Sequence, residues 1–391
     1  MKKVRVAIIG VGNMGSAHAS CILKGQVQGM VLSALCDTNQ ERLQIYREKY
    51  PSIRTFLNYQ DLFKSGLADA VIIATPHKYH ACIAEDAFRS NLHVMVEKPV
   101  DISVSAARKL NQVAKESGKV FGIMFNQRTN PLFQMTHEIV HSGQLGELKR
   151  SIWIVTNWYR TQAYYDSGNW RATWSGEGGG VLLNQAPHNL DLWQWICGMP
   201  VSLTAYCDKA QYHNIDVEDR ATILANYANG GIGTFITSTG ELPGTNRLEI
   251  SGNLGKLVLE NGILKWWKIK ESERSICFSS TESFPTVETE YKEFKQEKPE
   301  SAHCGILQNF TNAILNGEPL LAPGYEGIHE LMISNAAYMS EWCDHKRIAL
   351  PFDEALFEQL LEKQIEHSRP QKDGCNSEYS ERYNKRWKVN W

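Results

Sequence analysis

Between residues 4 and 125, short apolar runs alternate with stretches of helical periodicity. The runs Val4–Ile9, Val31–Cys36, Ala70–Ala74, His93–Val96 and Val120–Phe125 are rich in β-branched residues and apolar almost throughout. Strands buried on both faces of a parallel sheet read this way, because neither face meets water. Helical patterns lie between them near 13–24, 40–49, 79–90 and 103–117. Gly25 closes the first and Pro51 follows the second. Strand and helix in alternation predict a parallel sheet with helices on both faces. After Phe125 the pattern changes. A helix near 131–142 ends at Gly143, and longer alternating segments follow at 149–159, 201–208, 219–228, 232–240, 246–250 and 256–269. Turn signals such as "NGG" and "LPGTN" separate several of them, which predicts a mostly antiparallel sheet. Helices return near 304–316, 324–344 and 353–367. The chain thus divides into an α/β unit over 1–125, an α+β unit over 126–367 and a polar tail over 368–391.

Composition narrows the class. The chain has 391 residues, enough for two domains, with 42% hydrophobic and 21% charged residues. A formal net charge of −2 and no long basic run argue against a nucleic-acid surface. No apolar run reaches membrane-spanning length. The glycines inside the apolar start "MKKVRVAIIGVGNMG" argue against a secretory leader. Nine cysteines without a C-x-x-C pair read as reduced thiols of a cytoplasmic protein and give no zinc-ligand spacing, so no metal is expected.

The first candidate site is "IIGVGNMGSAHA". Gly10, Gly12 and Gly15 follow an apolar strand and open a helix, the context a dinucleotide pyrophosphate needs. Gly10 permits the tight turn, Gly12 lets backbone approach phosphate, and Gly15 lets helix and strand pack. Asn13 and Met14 lie on the same loop, at a helix N-terminus that favours an anion. Asp37 ends the next strand, where a carboxylate accepts from ribose hydroxyls and repels a 2′-phosphate. NAD is therefore expected rather than NADP. Thr75 and Pro76 end another strand at the ligand-binding edge of the sheet. His80 joins them as a cofactor-side candidate, although residues placed as His77 and His80 are more often ones that cap or start a helix.

Two further stretches carry chemistry. "HVMVEKPVDIS" puts Glu97-Lys98-Pro99 at the end of a buried strand, where a lysine is costly without a partner or a role. An ion pair with Glu97 at a strand end would explain it as well. "VLLNQAPHNLDLWQW" places Asn184, His188 and Asp191 at i, i+4 and i+7, on one face if the stretch is one helix. Pro187 should weaken or kink that helix just before His188.

Taken together, the glycine cradle, "EKPV", "GIMFNQRTNP", "GGGVLLNQAPHNLDLWQWICG" and "EISGNLGKLVLENG" resemble the Gfo/Idh/MocA family, that of glucose–fructose oxidoreductase and inositol dehydrogenase. The resemblance covers roughly residues 4–345. It implies an N-terminal Rossmann domain and a C-terminal α+β domain whose large open sheet commonly joins subunits, hence a homodimer or homotetramer. It also implies that Lys98 touches the substrate hydroxyl near the nicotinamide, often before a cis proline, and that His188 is the acid/base. Where many members carry Asp four residues before that histidine, this chain has Asn184. An amide cannot relay a proton at neutral pH, but it can bind a hydroxyl or orient His188. Asp191 is an alternative orienting carboxylate.

The expected reaction is hydride transfer between a secondary alcohol and nicotinamide. The expected substrate is a sugar or cyclitol, bound with the help of "TNWYRTQAYYDSGNWRATW". Trp158, Tyr159, Arg160, Tyr164, Tyr165, Asn169, Trp170, Arg171 and Trp174 offer aromatic faces and donors for a sugar. Tyr164, Trp170 and Arg171 are the chosen contacts, beside Lys98, Asn184 and His188. The same aromatics would also suit a packing loop. Two alternatives stay open: a glycosidase- or epimerase-like enzyme using bound NAD transiently, and a non-catalytic dinucleotide-binding sensor.

Overall fold

The computed structural model describes residues 3–168, 170–296 and 300–368. Asn169 and all of the expected tail except Ser368 lie outside them. Six strands make the first sheet: β1 (Val4–Ile9), β2 (Met30–Cys36), β3 (Arg54–Phe56), β4 (Ala70–Ile73), β5 (His93–Val96) and β6 (Phe121–Ile123). Their order is β3-β2-β1-β4-β5-β6, and every pairing is parallel. The helices α1 (Asn13–Leu23), α2 (Gln40–Lys49), α3 (Tyr59–Lys64), α4 (His80–Arg89) and α5 (Val104–Ser117) connect them. β3 and α3 are additions to the sequence reading, each too short to show a period. The order reverses between β1 and β4, and the loops after these strands diverge there to leave a crevice for a ligand.

The second sheet has nine strands: β7 (Leu148–Val155), β8 (Ser202–Lys209), β9 (Glu218–Asn226), β10 (Ile232–Ser238), β11 (Asn246–Gly252), β12 (Gly255–Glu260), β13 (Ile263–Ile269), β14 (Thr289–Lys295) and β15 (Ile348–Ala349). Their order is β14-β13-β12-β11-β7-β10-β9-β8-β15, antiparallel except between β7 and β10. The segment 256–269 is a hairpin, because Asn261 and Gly262 both take positive φ and turn the chain back. The helices of this half are α6 (Pro131–His141), α7 (Gln162–Tyr165), α8 (Val181–Asn184), α9 (Pro187–Cys197), α10 (Glu273–Ser279), α11 (Ala302–Asn316), α12 (Gly327–Trp342) and α13 (Glu354–Glu366). On the covered face of the sheet Phe235 packs against Trp153 and Trp193, with ring centroids 6.2 and 5.5 Å apart. On the other face Tyr206, Leu224 and Ile232 are exposed.

The helix expected over 181–195 is two helices. Pro187 takes the first position of α9, where its missing N–H costs nothing, and Gln185 and Ala186 form the break. Asn184 and His188 therefore sit on different helices. The halves of the molecule meet through α11, which packs on α1: the Gln28 amide donates to Gln308 Oε1 at 2.7 Å. Across that contact Cys21 and Cys304 form a disulfide, 283 residues apart in sequence. This corrects the expectation of reduced thiols throughout, since spacing along the chain does not show that α1 meets α11. Cys36, Cys82, Cys197, Cys207, Cys277 and Cys343 are free. No helix among the described residues is long and apolar enough to cross a membrane.

Candidate active site

The loop from β1 to α1 is shaped by its glycines. Gly10 has φ +89°, and a Cβ on Gly15 would collide with the Gly10 carbonyl oxygen. A Cβ on Gly12, in contrast, would meet nothing within 4 Å. Helix α1 starts beside that space without a side-chain cap, so its first amides are available to an anion. This is what a bound pyrophosphate requires, and the residues fit a dinucleotide. Asp37, at the end of β2, is buried. Its Oδ2 accepts the Val11 amide at 2.7 Å and its Oδ1 accepts the Asn39 amide at 2.8 Å. Thr75 follows β4, and its buried hydroxyl has no hydrogen-bond partner among the described residues. His80 is turned inward. Its ring nitrogens lie 2.7 Å from the carbonyl oxygens of Pro99 and Thr75, so it braces two loops and has no ring atom left for a cofactor. The helix-starting reading of His80 therefore describes its place better.

The strand β5 ends in Glu97 and Lys98, and the Lys98–Pro99 bond is cis. Glu97 does not pair with the Lys98 ammonium as the simple ion-pair reading had it. Its Oε1 lies 2.6 Å from Nε2 of the fully buried His18, and its Oε2 accepts the Lys98 amide at 3.2 Å. Burial pushes the Glu97 carboxyl up, but the His18 contact and the charges of His303 and Lys98 together outweigh it and bring it down to about 2. Lys98 Nζ crosses to the other half of the molecule and donates to the main-chain oxygen of Asn184 at 2.6 Å. Burial draws the Lys98 ammonium below its ordinary range, against the opposing charges of Glu97, Glu330 and Glu177.

His188 enters from the first turn of α9. It is buried, and its Nδ1 has no hydrogen-bond partner among the described residues. Burial first, and then the nearby charge of Lys98, hold its pKa well below the usual imidazole value. The imidazole is therefore neutral at pH 7. Asp191 does not orient it. Both Asp191 oxygens accept from Arg128 instead, at 2.9 and 2.6 Å. Arg128, from the domain junction, takes the carboxylate that the shared helix face would have offered to His188.

The aromatic stretch before the glycines splits in two. Tyr164, Trp170, Arg171 and Asn184 converge: Arg171 Nη1 donates to the Tyr164 hydroxyl at 2.8 Å, and Asn184 Nδ2 donates to the same oxygen at 3.2 Å. The Arg171 guanidinium lies 4.7 Å from both the Tyr164 and Trp170 ring centroids. Trp174 and Tyr165 are instead buried in the core, Trp174 against Tyr338 and Trp342. Trp158 donates to Asn189 Oδ1 at 3.1 Å, Tyr159 is exposed, and the Arg160 guanidinium lies 5.1 Å from the Tyr164 ring centroid. The sequence reading missed Glu177, His303 and Glu330. Glu177 stands immediately before the glycine run, a carboxylate that could have been noticed. His303 and Glu330 carry no local signal, since they arrive from α11 and α12 on the far side of the sequence.

Comparisons with known proteins agree with this geometry. Residues 4–125 match the model of an oxidoreductase family with an NAD-binding Rossmann fold, and residues 133–258 match the GFO/IDH/MocA C-terminal domain. A myo-inositol 2-dehydrogenase of Thermotoga maritima is 22% identical over 343 residues, 86% of this chain and 96% of that protein. An alpha-N-acetylgalactosaminidase of Shewanella oneidensis is 28% identical over 255 residues, 62% of this chain but only 51% of the relative. The structure of the WlbA dehydrogenase from Bordetella pertussis, in complex with NADH and UDP-GlcNAcA, superposes with a TM-score of 0.75 at 25% identity, covering 90% of this chain and all of that one. With a dinucleotide crevice in one half, a large open sheet in the other and both family models matched in order, the chain belongs to the Gfo/Idh/MocA family of NAD-binding oxidoreductases.

Proposed function

We propose that the protein is a dehydrogenase that moves hydride between a secondary alcohol of a sugar or cyclitol and NAD. The nicotinamide would supply the hydride chemistry when bound. His188 takes the hydroxyl proton as general base, a role that suits a neutral imidazole with Nδ1 unengaged. Lys98 stabilises negative charge developing on the same oxygen. Tyr164, Trp170, Arg171 and Asn184 hold the remaining hydroxyls, Trp170 by its face and the others by hydrogen bonds. The observation that carries the reading is a contact between opposite halves: Lys98 Nζ, at the end of β5, donates to the main-chain oxygen of Asn184 at 2.6 Å, four residues before His188. The exposed face around Leu224 would join subunits. The experiment is absorbance at the NADH band with added NAD and a panel holding myo-inositol, scyllo-inositol, glucose and a UDP-linked sugar. Steady NADH formation with one member is expected. No net NADH, together with NAD released from denatured protein, would move the assignment to transient oxidation, the reading favoured by the likeness to the galactosaminidase. Neither signal would sink both.

A further inference from the structure

Position 184 lacks a carboxylate, yet the site has one. Glu177 is buried directly behind Asn184. Its Oε1 accepts from Asn184 Nδ2 and lies 3.9 Å from Arg171 Nη1, while its Oε2 accepts the Ala172 amide at 2.7 Å. An ionised carboxylate can only accept, so the amide nitrogen of Asn184 must face Glu177. The amide oxygen then turns the other way. It accepts no hydrogen bond from the described residues, and the same residue's main-chain oxygen receives Lys98 Nζ. We infer that Glu177 is a positioning residue: it holds the Asn184 amide so that Oδ1 faces the cleft beside Lys98 and offers a substrate hydroxyl an acceptor. In this arrangement the carboxylate and the acceptor oxygen are divided between two residues. Burial raises the Glu177 carboxyl above its ordinary value, against Arg171, the Ala172 amide, Asn184 and Lys98, so the orientation responds to pH.

The functional part of this inference rests on the dehydrogenase reading, but the contact can be tested without it. Four proteins are compared: wild type, Glu177→Gln, Asn184→Asp, and the exchange carrying both. With 15N-asparagine labelling, the side-chain NH2 signal of Asn184 is identified by its loss in Asn184→Asp. It should move as pH rises above 4.5 in wild type and stay still in Glu177→Gln. A signal indifferent to pH in wild type, or moving alike in both proteins, overturns the contact. Turnover is then read as NADH formation with myo-inositol and the other panel members. Glu177→Gln turns the amide round and should lower kcat/KM about ten- to a hundredfold. Asn184→Asp sets two carboxylates face to face, so it should lose activity and shift the pH profile. The exchange restores one carboxylate and one amide and should return to within about fivefold of wild type. A merely structural Glu177 would not be rescued by the exchange, so an exchange as poor as the worse single variant overturns the positioning role. A pH-responsive Asn184 signal in a wild-type protein that turns over no panel member supports the amide orientation and counts against the dehydrogenase reading instead.

Discussion

Removing Asp191 should markedly destabilise this protein, and the structure says why. The Arg128 and Asp191 side chains are each 1% exposed, so solvent does not screen them. Arg128 donates twice to Asp191, and its remaining nitrogen donates to Glu326 Oε2 at 2.5 Å and to the Leu321 carbonyl at 3.2 Å. Burial alone would draw the guanidinium's pKa down, but Asp191 and Glu326 outweigh burial and hold it above its ordinary value. A guanidinium's ordinary pKa lies far above neutral pH, so the cation persists when a partner is removed. Breaking a buried pair from one side costs about 3–5 kcal/mol. Asp191→Leu leaves Arg128 with Glu326, whose side chain is 24% exposed, so the lower end applies, about 3 kcal/mol. Arg128→Met with Asp191→Leu removes both charges at similar volume and should end within about 1 kcal/mol of wild type. Urea unfolding followed by tryptophan fluorescence gives each value from the midpoint at a common slope. The reasoning fails if Asp191→Leu alone costs less than about 1 kcal/mol, or if the double variant is as unstable as the summed single variants.

Three other outcomes are expected. His188→Ala should lower kcat by about 10²–10⁴ while NADH still binds, as read by its fluorescence; comparable turnover would remove His188 from the reaction. The pH profile of kcat/KM should be displaced downward at both ends. The acid limb should fall below pH 6.5, because burial and Lys98 keep His188 neutral, and the alkaline limb below pH 10.5, because Lys98 must stay protonated and burial lowers its pKa. An acid limb above 6.5 would contradict the first assignment. Gly15→Ala should weaken NADH binding at least about tenfold, because the added methyl has no room beside the Gly10 carbonyl. Unchanged affinity in a fluorescence titration would mean that α1 shifts freely.

Much of this was legible along the chain, and the limits have physical causes. The buried strands announced themselves as unbroken apolar runs, and the crevice as glycines between a strand and a helix. Lys98 and His188 stood out because a buried cation and a buried imidazole need reasons. What stayed hidden depends on distance along the chain. Arg128 captures Asp191 across 63 residues, His303 comes within 5.7 Å of His18 from α11, and Cys21 reaches Cys304. None of these leaves a periodic trace. The aromatic stretch was ambiguous for another reason: a tryptophan that floors a core and one that lies beside a polar cluster have the same composition, and only the fold separates Trp174, packed on Tyr338, from Trp170, packed on Arg171.

Asp37 carries a consequence for anyone who would re-engineer cofactor choice. The carboxylate expected at the ribose is also the latch of the phosphate loop, since it accepts the Val11 amide, and it pins the turn into α2 through the Asn39 amide. Replacing it to admit a 2′-phosphate therefore frees two backbone amides and loosens the loop that every dinucleotide must use. A switch of preference in this scaffold has to supply a new acceptor for Val11 at the same time as a cation for the phosphate. Otherwise selectivity will change while affinity for both cofactors falls.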